Sequence, residues 1–283
     1  MITFQVSYEA ENQYDHEVQE ALFEFMVMPC ENESQTILWQ KSSNTAQSTP
    51  FFSRNVFGYQ SLCFRAVGPF QLFSFRFDCH VLLDDQRLLP AVQNSLSPEE
   101  ESQILASEAF QVDHFLYILQ SPLTDIPLHL VPASMRYRKS INLLEYAIEL
   151  NAAIHKLIKY TPNVTSVQTK AVEVLAMPAG VCQDYSHLMI GILRSQQIPA
   201  RYVSGYLNQG KQFIGSAQMH AWVEIFIPEM GWVGLDPTNN LFSDHHYIKV
   251  ADGQDYNDCS PLMGFIKPSG INCTDHSVQV VEQ

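Results

Sequence analysis

The chain predicts an α+β protein: an antiparallel β-sandwich first, then helices packed on a second antiparallel sheet. Three observations carry that reading. Apolar residues recur with period two from Met1 to about Leu83, at spacings of three and four between Ser97 and Met177, and with period two again beyond residue 200. A run of helices followed by a meander of strands gives α+β rather than an alternating α/β fold.

In the first stretch Ile2, Phe4, Val6 and Tyr8 share one face, and Phe23, Phe25 and Val27 share another. From Phe70 to Leu83 the polar Ser74, Arg76, Asp78 and His80 alternate with Phe73, Phe75, Phe77, Cys79 and Val81. One face is therefore buried and one wet, with irregular loops at Asn32–Ser34 and Ser42–Asn44. Trp39, Tyr59 and the phenylalanines read as core, because aromatic rings fill sheet interiors.

Ser97-Pro98-Glu99-Glu100-Glu101 has the marks of a helix start: a capping hydroxyl, proline in the first turn, then acids that complement the dipole. The pattern loosens just before it. The chain accordingly divides into a β-sandwich domain, 1–95, and a second domain, 96–283, with a helical lead-in over 96–164. Within the lead-in, Pro122, Pro127 and Pro132 interrupt the helices, and Ser140–Tyr160 carries Ile141, Leu144, Ala147, Ile148, Ala152, Ile154 and Ile158 as an apolar face. Ser166–Met177 reads as a further helix with Val167, Ala171, Val174 and Leu175 inward.

Composition narrows the function. A net charge of −14 without a Lys/Arg cluster opposes binding to nucleic acid. An alternating N-terminus and the lack of a long apolar run read as a cytoplasmic protein with no membrane segment. The six cysteines show no CxxC spacing and read as reduced thiols. Oligomeric state leaves no mark in the sequence.

One of those thiols stands apart. Met177-Pro178-Ala179-Gly180 breaks a helix, and the apolar run Leu188, Met189, Ile190, Ile192 and Leu193 follows, so Cys182 falls at or just inside a helix N-terminus. Unpaired N–H groups and the positive dipole end favour a thiolate there. Downstream, His220 opens the strand His220–Ile227 and Asp236 closes the strand Gly231–Asp236. Cysteine, histidine and aspartate in that order are a nucleophile, its base and an orienter for the base.

The strands can meet in only one useful register. Pairing Ile227 with Trp232 would turn Asp236 away from His220. Pairing Ile227 with Gly231 sets Asp236 opposite Trp222 and diagonal to His220, about 7 to 8 Å away, within reach of the two side chains. A three-residue loop ending in a left-handed glycine has that register, which predicts a bulge at Gly231.

The words GVCQDYSHLM, ARYVSGYL, HAWVEIFIP, GWVGLDPTNN and DHHYIKVADGQDY resemble the transglutaminase-like core of bacterial proteins, a branch of the papain-like cysteine enzymes, over roughly Thr165 to Gly264. The first part of the chain resembles, more faintly, the β-rich N-terminal domain often attached to that core. The resemblance implies catalytic roles for Cys182, His220 and Asp236, a peptide or protein substrate, and no cofactor. Cleavage of an amide through a thioester is the leading expectation. Transfer of a glutamine acyl group to an amine, or a binding protein on the same fold, are the alternatives. For an oxyanion hole the Cys182 N–H is one donor. Animal transglutaminases use a tryptophan from the segment before the cysteine as another, but Trp39, Trp222 and Trp232 lie elsewhere, leaving Gln168, Gln183 or Tyr206 as substitutes. Trp222 reads as a cover for the cleft that shields the imidazole, and Asp184 and His187 as a helix-start acid and a buried hydrogen-bonding residue. Tyr202, Ser204 and Tyr206 either line the cleft or complete a sheet. No metal is expected: residues 252–258 lack the glycine and glutamate positions of a calcium loop, and adjacent His245 and His246 on a strand would point apart.

Overall fold

Alternation shapes the first third of the chain, and a bend folds it on itself. In the computed structural model, which describes residues 1–84, 96–208, 213–215, 218–268 and 270–283, strands β1 (Ile2–Phe25), β2 (Gln35–Asn44), β3 (Phe51–Arg54) and β4 (Gln60–Leu83) belong to one six-stranded sheet. Strands β1 and β4 pair antiparallel along nearly their whole length, with the register slipping between Gln13 and Glu20. There the ladder bends and its halves face each other. Phe23 is paired with Phe64, yet its ring stacks on Phe73 at 4.0 Å, and Phe25 stacks on Phe75 at 3.9 Å. The sandwich is thus a single sheet closed over its own phenylalanines. Cys79 lies buried among them as an apolar residue. Ser42–Asn44, expected as a loop, continues β2, whereas Asn32 does make a turn by accepting from the Ser34 N–H at 2.9 Å.

The domain boundary placed near residue 95 lies outside the described residues. Beyond it, Ser97 caps α1 (Pro98–Ala106) as expected: its Oγ accepts from the Glu100 N–H at 3.3 Å, and the Glu100 carboxylate accepts from the Ser97 N–H at 2.8 Å. Short helices α2 (Glu108–Asp113) and α3 (Phe115–Ile118) follow, then two 3₁₀ turns, each entered from a proline, Pro127 or Pro132. Helix α4 (Leu143–Leu157) starts at an Asn142 cap. Its buried stripe is Leu143, Tyr146, Ala147, Leu150 and Ile154, while Ile148 is 42% exposed, since it sits one residue, or about 100°, off that stripe. The helix expected from Ser166 shrinks to α5 (Ala171–Ala176). Ser166 and Thr169 hold a turn instead, with the Ser166 N–H on Thr169 Oγ1 at 2.9 Å, and Val167 is 44% exposed rather than inward.

Two-residue strands β5 (Lys159–Tyr160) and β6 (Ala179–Gly180) pair in parallel and lead into α6 (Cys182–Arg194). Strands β7 (Ala200–Leu207), β8 (His220–Ile227), β9 (Gly231–Asp236), β10 (Leu241–Phe242) and β11 (Tyr247–Gly253) form an antiparallel sheet in the order β10-β9-β8-β7-β11. The loop expected around Asn208–Lys211 lies mostly outside the described residues. Helix α6 buries Leu188, Met189 and Ile192 in one core with Ala221, Val223 and Ile225 of β8. The chain then returns to the first sheet: β12 (Leu262–Lys267) and β13 (Asn272–Glu282) both pair with the outer edge of β1. A division at residue 95 therefore does not follow the sheets, because β1 is an alternating strand whose second edge needs a partner. In β13 only Val278 and Val280 are buried, too short a pattern to read as a strand of that sheet. Among the described residues no helix is long and apolar enough to cross a membrane.

The two sheets share one core and are also bonded to each other. Gln35 acts as a stand-in strand for β11: its Oε1 accepts from the Lys249 N–H at 2.9 Å and its Nε2 donates to the Lys249 carbonyl at 2.7 Å. Beside it lies a nearly buried group of two cations and two anions. Lys249 Nζ is 2.8 Å from Glu224 and 2.6 Å from Asp252, while Arg201 reaches Glu224 at 2.5 Å and Asp252 at 3.2 Å and lies over the Trp232 ring at 4.1 Å. Tyr59 of the first sheet donates to Asp252. Burial opposes both carboxylates, but Lys249 and Arg201 outweigh it and hold them below their usual range.

Removing one member strands its partners. Glu224→Gln should lower stability by about 3 kcal/mol at pH 7, measured by urea unfolding. Because the folded carboxylate titrates below its unfolded value, its contribution is complete above about pH 4.5 and fades as pH falls through the lower folded value, so wild type and variant should converge in acid.

Candidate active site

Cys182 is placed by the sharp entry into α6. Asp184 Oδ2 accepts from the Val181 N–H and from Thr165 Oγ1, each at 2.7 Å, so the carboxylate caps the helix from its own first turn. Gly180 makes room for it, since a Cβ there would lie 2.3 Å from that oxygen. Asp184 is thus the helix-start acid, and its burial raises its pKa in spite of those bonds. From Gln183 to Arg194 the helix is buried, but Cys182 is partly open to solvent. The sulfur sits where the core ends.

The hairpin of β8 and β9 has the expected register. Ile227 pairs with Gly231, Gly231 has φ +78°, and the Met230 N–H donates to the Ile227 carbonyl at 3.0 Å. Val223 then faces Leu235, and the next residue, Asp236, turns toward His220. The His220 Nε2 to Asp236 Oδ2 distance is 2.8 Å, with both side chains fully enclosed. Nδ1 is buried with no hydrogen-bond partner among the described residues, so with Nε2 committed to Asp236 it is the ring nitrogen left for another group.

Asp236 is held from all sides. Besides His220, its Oδ2 accepts from Asn239 Nδ2 and the Tyr247 hydroxyl, each at 2.8 Å, while Oδ1 accepts from the Thr238 and Asn239 N–H groups at 2.8 and 3.2 Å. Burial pushes the carboxyl up, but His220, then Asn239 and Tyr247, bring it below its usual range. For His220 burial works toward the neutral ring, and the charges of Asp236 and then Cys182 overcome it, raising the pKa to about 10. A thiol, a ring favouring its charged form and a fixed carboxylate have been brought together. Such a set can pass a proton between sulfur and nitrogen.

The remaining candidates are placed less centrally. Gln183 donates from Nε2 to the Val167 carbonyl at 3.2 Å, tying α6 to the 166–169 turn. Gln168 is exposed on that turn, with its N–H on Ser166 Oγ. Tyr206 is fully buried and donates to the Val27 carbonyl at 2.6 Å, so its hydroxyl joins the two sheets and is not turned to the sulfur. Trp222 is buried, edge-on to Tyr247 at 5.4 Å. His187 accepts from the Tyr256 N–H at 3.2 Å, and burial lowers its pKa to about 4, leaving it a neutral structural ring. Asn239 and Tyr247 were missed by sequence reasoning, although an asparagine three residues past the aspartate is a recognisable local partner.

Asp244, His245 and His246 lie in a turn, not on a strand, so the two imidazoles do not diverge: their centroids are 4.0 Å apart. Their ligating atoms and that of Asp244 fall within 4.8 Å of one another, and these three residues could hold a metal ion. In the 252–258 segment the carboxylates serve the fold, Asp252 in the ionic group and Asp255 and Asp258 on the N–H groups of Asn257 and Gln254.

Residues 134–237 match the transglutaminase-like superfamily. The uncharacterised protein ML0607 of Mycobacterium leprae is 30% identical over 204 residues, covering 70% of each chain. The uncharacterised protein Rv2569c of Mycobacterium tuberculosis is 40% identical over 149 residues, 49% of this chain and 48% of that one. The chain spans about half the length of the curated relatives matched at that level. A crystal structure from Cytophaga hutchinsonii, provisionally described as a cysteine protease, shares the fold with a TM-score of 0.78 at 21% identity, covering 99% of this chain and 90% of that one.

Tyr247→Phe removes one of the three donors on Asp236 Oδ2 without opening a cavity. A loss of about 2 kcal/mol in urea unfolding at pH 7 is expected, as for a buried hydrogen bond to a charged group.

Proposed function

The chain belongs to the transglutaminase-like superfamily, and from that footing we propose that it is a thiol-dependent amide hydrolase acting on peptide or protein substrates through a thioester. The observation that carries the proposal is the His220 ring, fixed by Asp236 at one nitrogen and acting with the partly open Cys182 thiol at the other side.

The roles follow from the chemistry of a thiol, an imidazole and a carboxylate. His220 takes the Cys182 proton, and the sulfur adds to the carbonyl carbon of the scissile amide. When the tetrahedral state collapses, the C–N bond breaks and the His220 proton leaves with the amine. Water, deprotonated by the now neutral ring, then attacks the thioester and frees the sulfur. Asp236 keeps the ring oriented with Nε2–H toward itself and stabilises its charge through both steps. A lysine amine in place of water would give transglutamination with the same three side chains, so the choice rests on the acceptor admitted to the cleft.

Incubation of a glutamine peptide with a primary amine separates the two outcomes by mass: ammonia loss with water added, or with the amine added. Cys182→Ala should reduce either turnover at least about 10³-fold while leaving the circular dichroism unchanged. Undiminished turnover, or a wild-type Cys182 inert to iodoacetamide, would sink the enzyme reading and leave a binding protein on this fold.

The alkaline limb of the pH profile belongs to His220, which must carry the proton that leaves with the amine. With its pKa near 10, kcat/KM should hold up to about pH 9 and fall above it as the ring loses its proton. Asp236 is the main charge that raises this value, so Asp236→Asn should move the fall to lower pH in a pH–rate profile.

A further inference from the structure

We propose that the Tyr160 phenol is the second oxyanion donor of this site, an inference that rests on the thiol-amidase reading. As the S–C bond forms, the carbonyl π pair becomes a lone pair on oxygen, and a donor already in place there lowers the barrier most. The Cys182 N–H is one such donor, because it opens α6 where no helical carbonyl can reach it. Of the side chains considered from the sequence, Gln183 is engaged on Val167 and Tyr206 on Val27, while Gln168 is exposed on its turn.

Tyr160 stands in the place they leave. It ends β5 and pairs directly with Gly180, a register fixed by the Lys159 N–H on the Pro178 carbonyl at 3.1 Å and the Thr161 N–H on the Gly180 carbonyl at 2.9 Å. Paired residues of a ladder project to the same face. On Gly180 that face holds the first turn of α6, where Asp184 lies, so the Tyr160 ring is directed toward the same turn, 6.5 Å from the Tyr185 ring. Burial raises the phenol's pKa, and the charge of Cys182 raises it further. The side chain is half-buried, and its hydroxyl takes no hydrogen bond among the described residues.

Two other phenols feel the same sulfur and are worse placed. Tyr202 is enclosed beneath it, 5.2 Å from the His187 ring. Tyr256 accepts from Ser260 Oγ and lines a cavity of the first sheet with Tyr14 and Phe23. Tyr160 alone of the three combines an open side with an unengaged hydroxyl. It keeps its proton throughout: the hydrogen bond strengthens as the oxygen gains charge and relaxes when the C=O re-forms and the amine departs with the proton from His220.

The test uses the full chain and two probes of one sulfur. Iodoacetamide displaces iodide at a saturated carbon and develops no oxyanion. A peptide aldehyde adds the sulfur to its carbonyl and leaves a tetrahedral oxygen like that of the reaction. Tyr160→Phe, which removes a hydroxyl without hydrogen bonds, should alkylate within about twofold of wild type, yet be protected by the aldehyde about 10²-fold less well and lose about as much kcat. Equal aldehyde protection in the two proteins would overturn the assignment, as would an equal loss of alkylation, which would make the phenol a tuner of the sulfur. A Tyr202→Phe variant showing the loss in its stead would overturn it too. Failure of the underlying amidase reading is distinct, since it would show as turnover surviving Cys182→Ala.

Discussion

A hairpin of fixed parity governs the site. Side chains on a strand alternate, so whether Asp236 faces His220 or the opposite side depends on whether the loop between β8 and β9 holds an odd or an even number of residues. The left-handed glycine at 231 absorbs the odd residue and sets the ladder. From that follow the 2.8 Å contact with His220, the enclosure of the carboxylate by Asn239 and Tyr247, and the raised affinity of the ring for a proton. A slip of one residue would turn Val233 and Leu235 out of the core, so the apolar pattern of β9 enforces the same register that brings Asp236 to His220.

The Cys182 thiol is held in a different way. Cys182 is the first residue of a helix otherwise buried from Gln183 to Arg194, and that helix is anchored against β8, the strand that carries His220. The thiol therefore inherits the rigidity of the core while remaining at its boundary. Asp184 holds the entry turn from within, and Gln183 secures the neighbouring turn, which explains why two polar residues of the motif are buried without touching the chemistry.

The first sheet takes part by bracing. Gln35 clamps Lys249 on β11, Tyr206 of β7 donates to Val27, and Tyr59 completes the ionic group that joins β7, β8 and β11. β7 and β8 are adjacent, so these contacts stiffen the strands beside His220. The return of β12 and β13 to β1 places the second unit, in sequence, between strands of the first sheet, and one core runs through both.

Local pattern was enough for the elements that carry their own punctuation: the Ser97 cap, the entry of α6 at Cys182, the alternating strands and the odd hairpin that unites His220 with Asp236. It overran α5, where Ser166 and Thr169 could bond the backbone without forming a helix, and it turned α4 by one residue, because Ile148 is as apolar as the residues that are buried. Neither the bend of β1, nor the partners of β13, nor the bond from Tyr206 to Val27 could be read in advance. Those depend on residues distant in sequence reaching a common place, and a side chain of given chemistry does the work only of whatever stands beside it. Sequence by itself determined the residue types and their parity along single strands and helices; the tertiary structure alone decided which hydroxyls and amides were engaged and which were not, since that is settled by packing between elements.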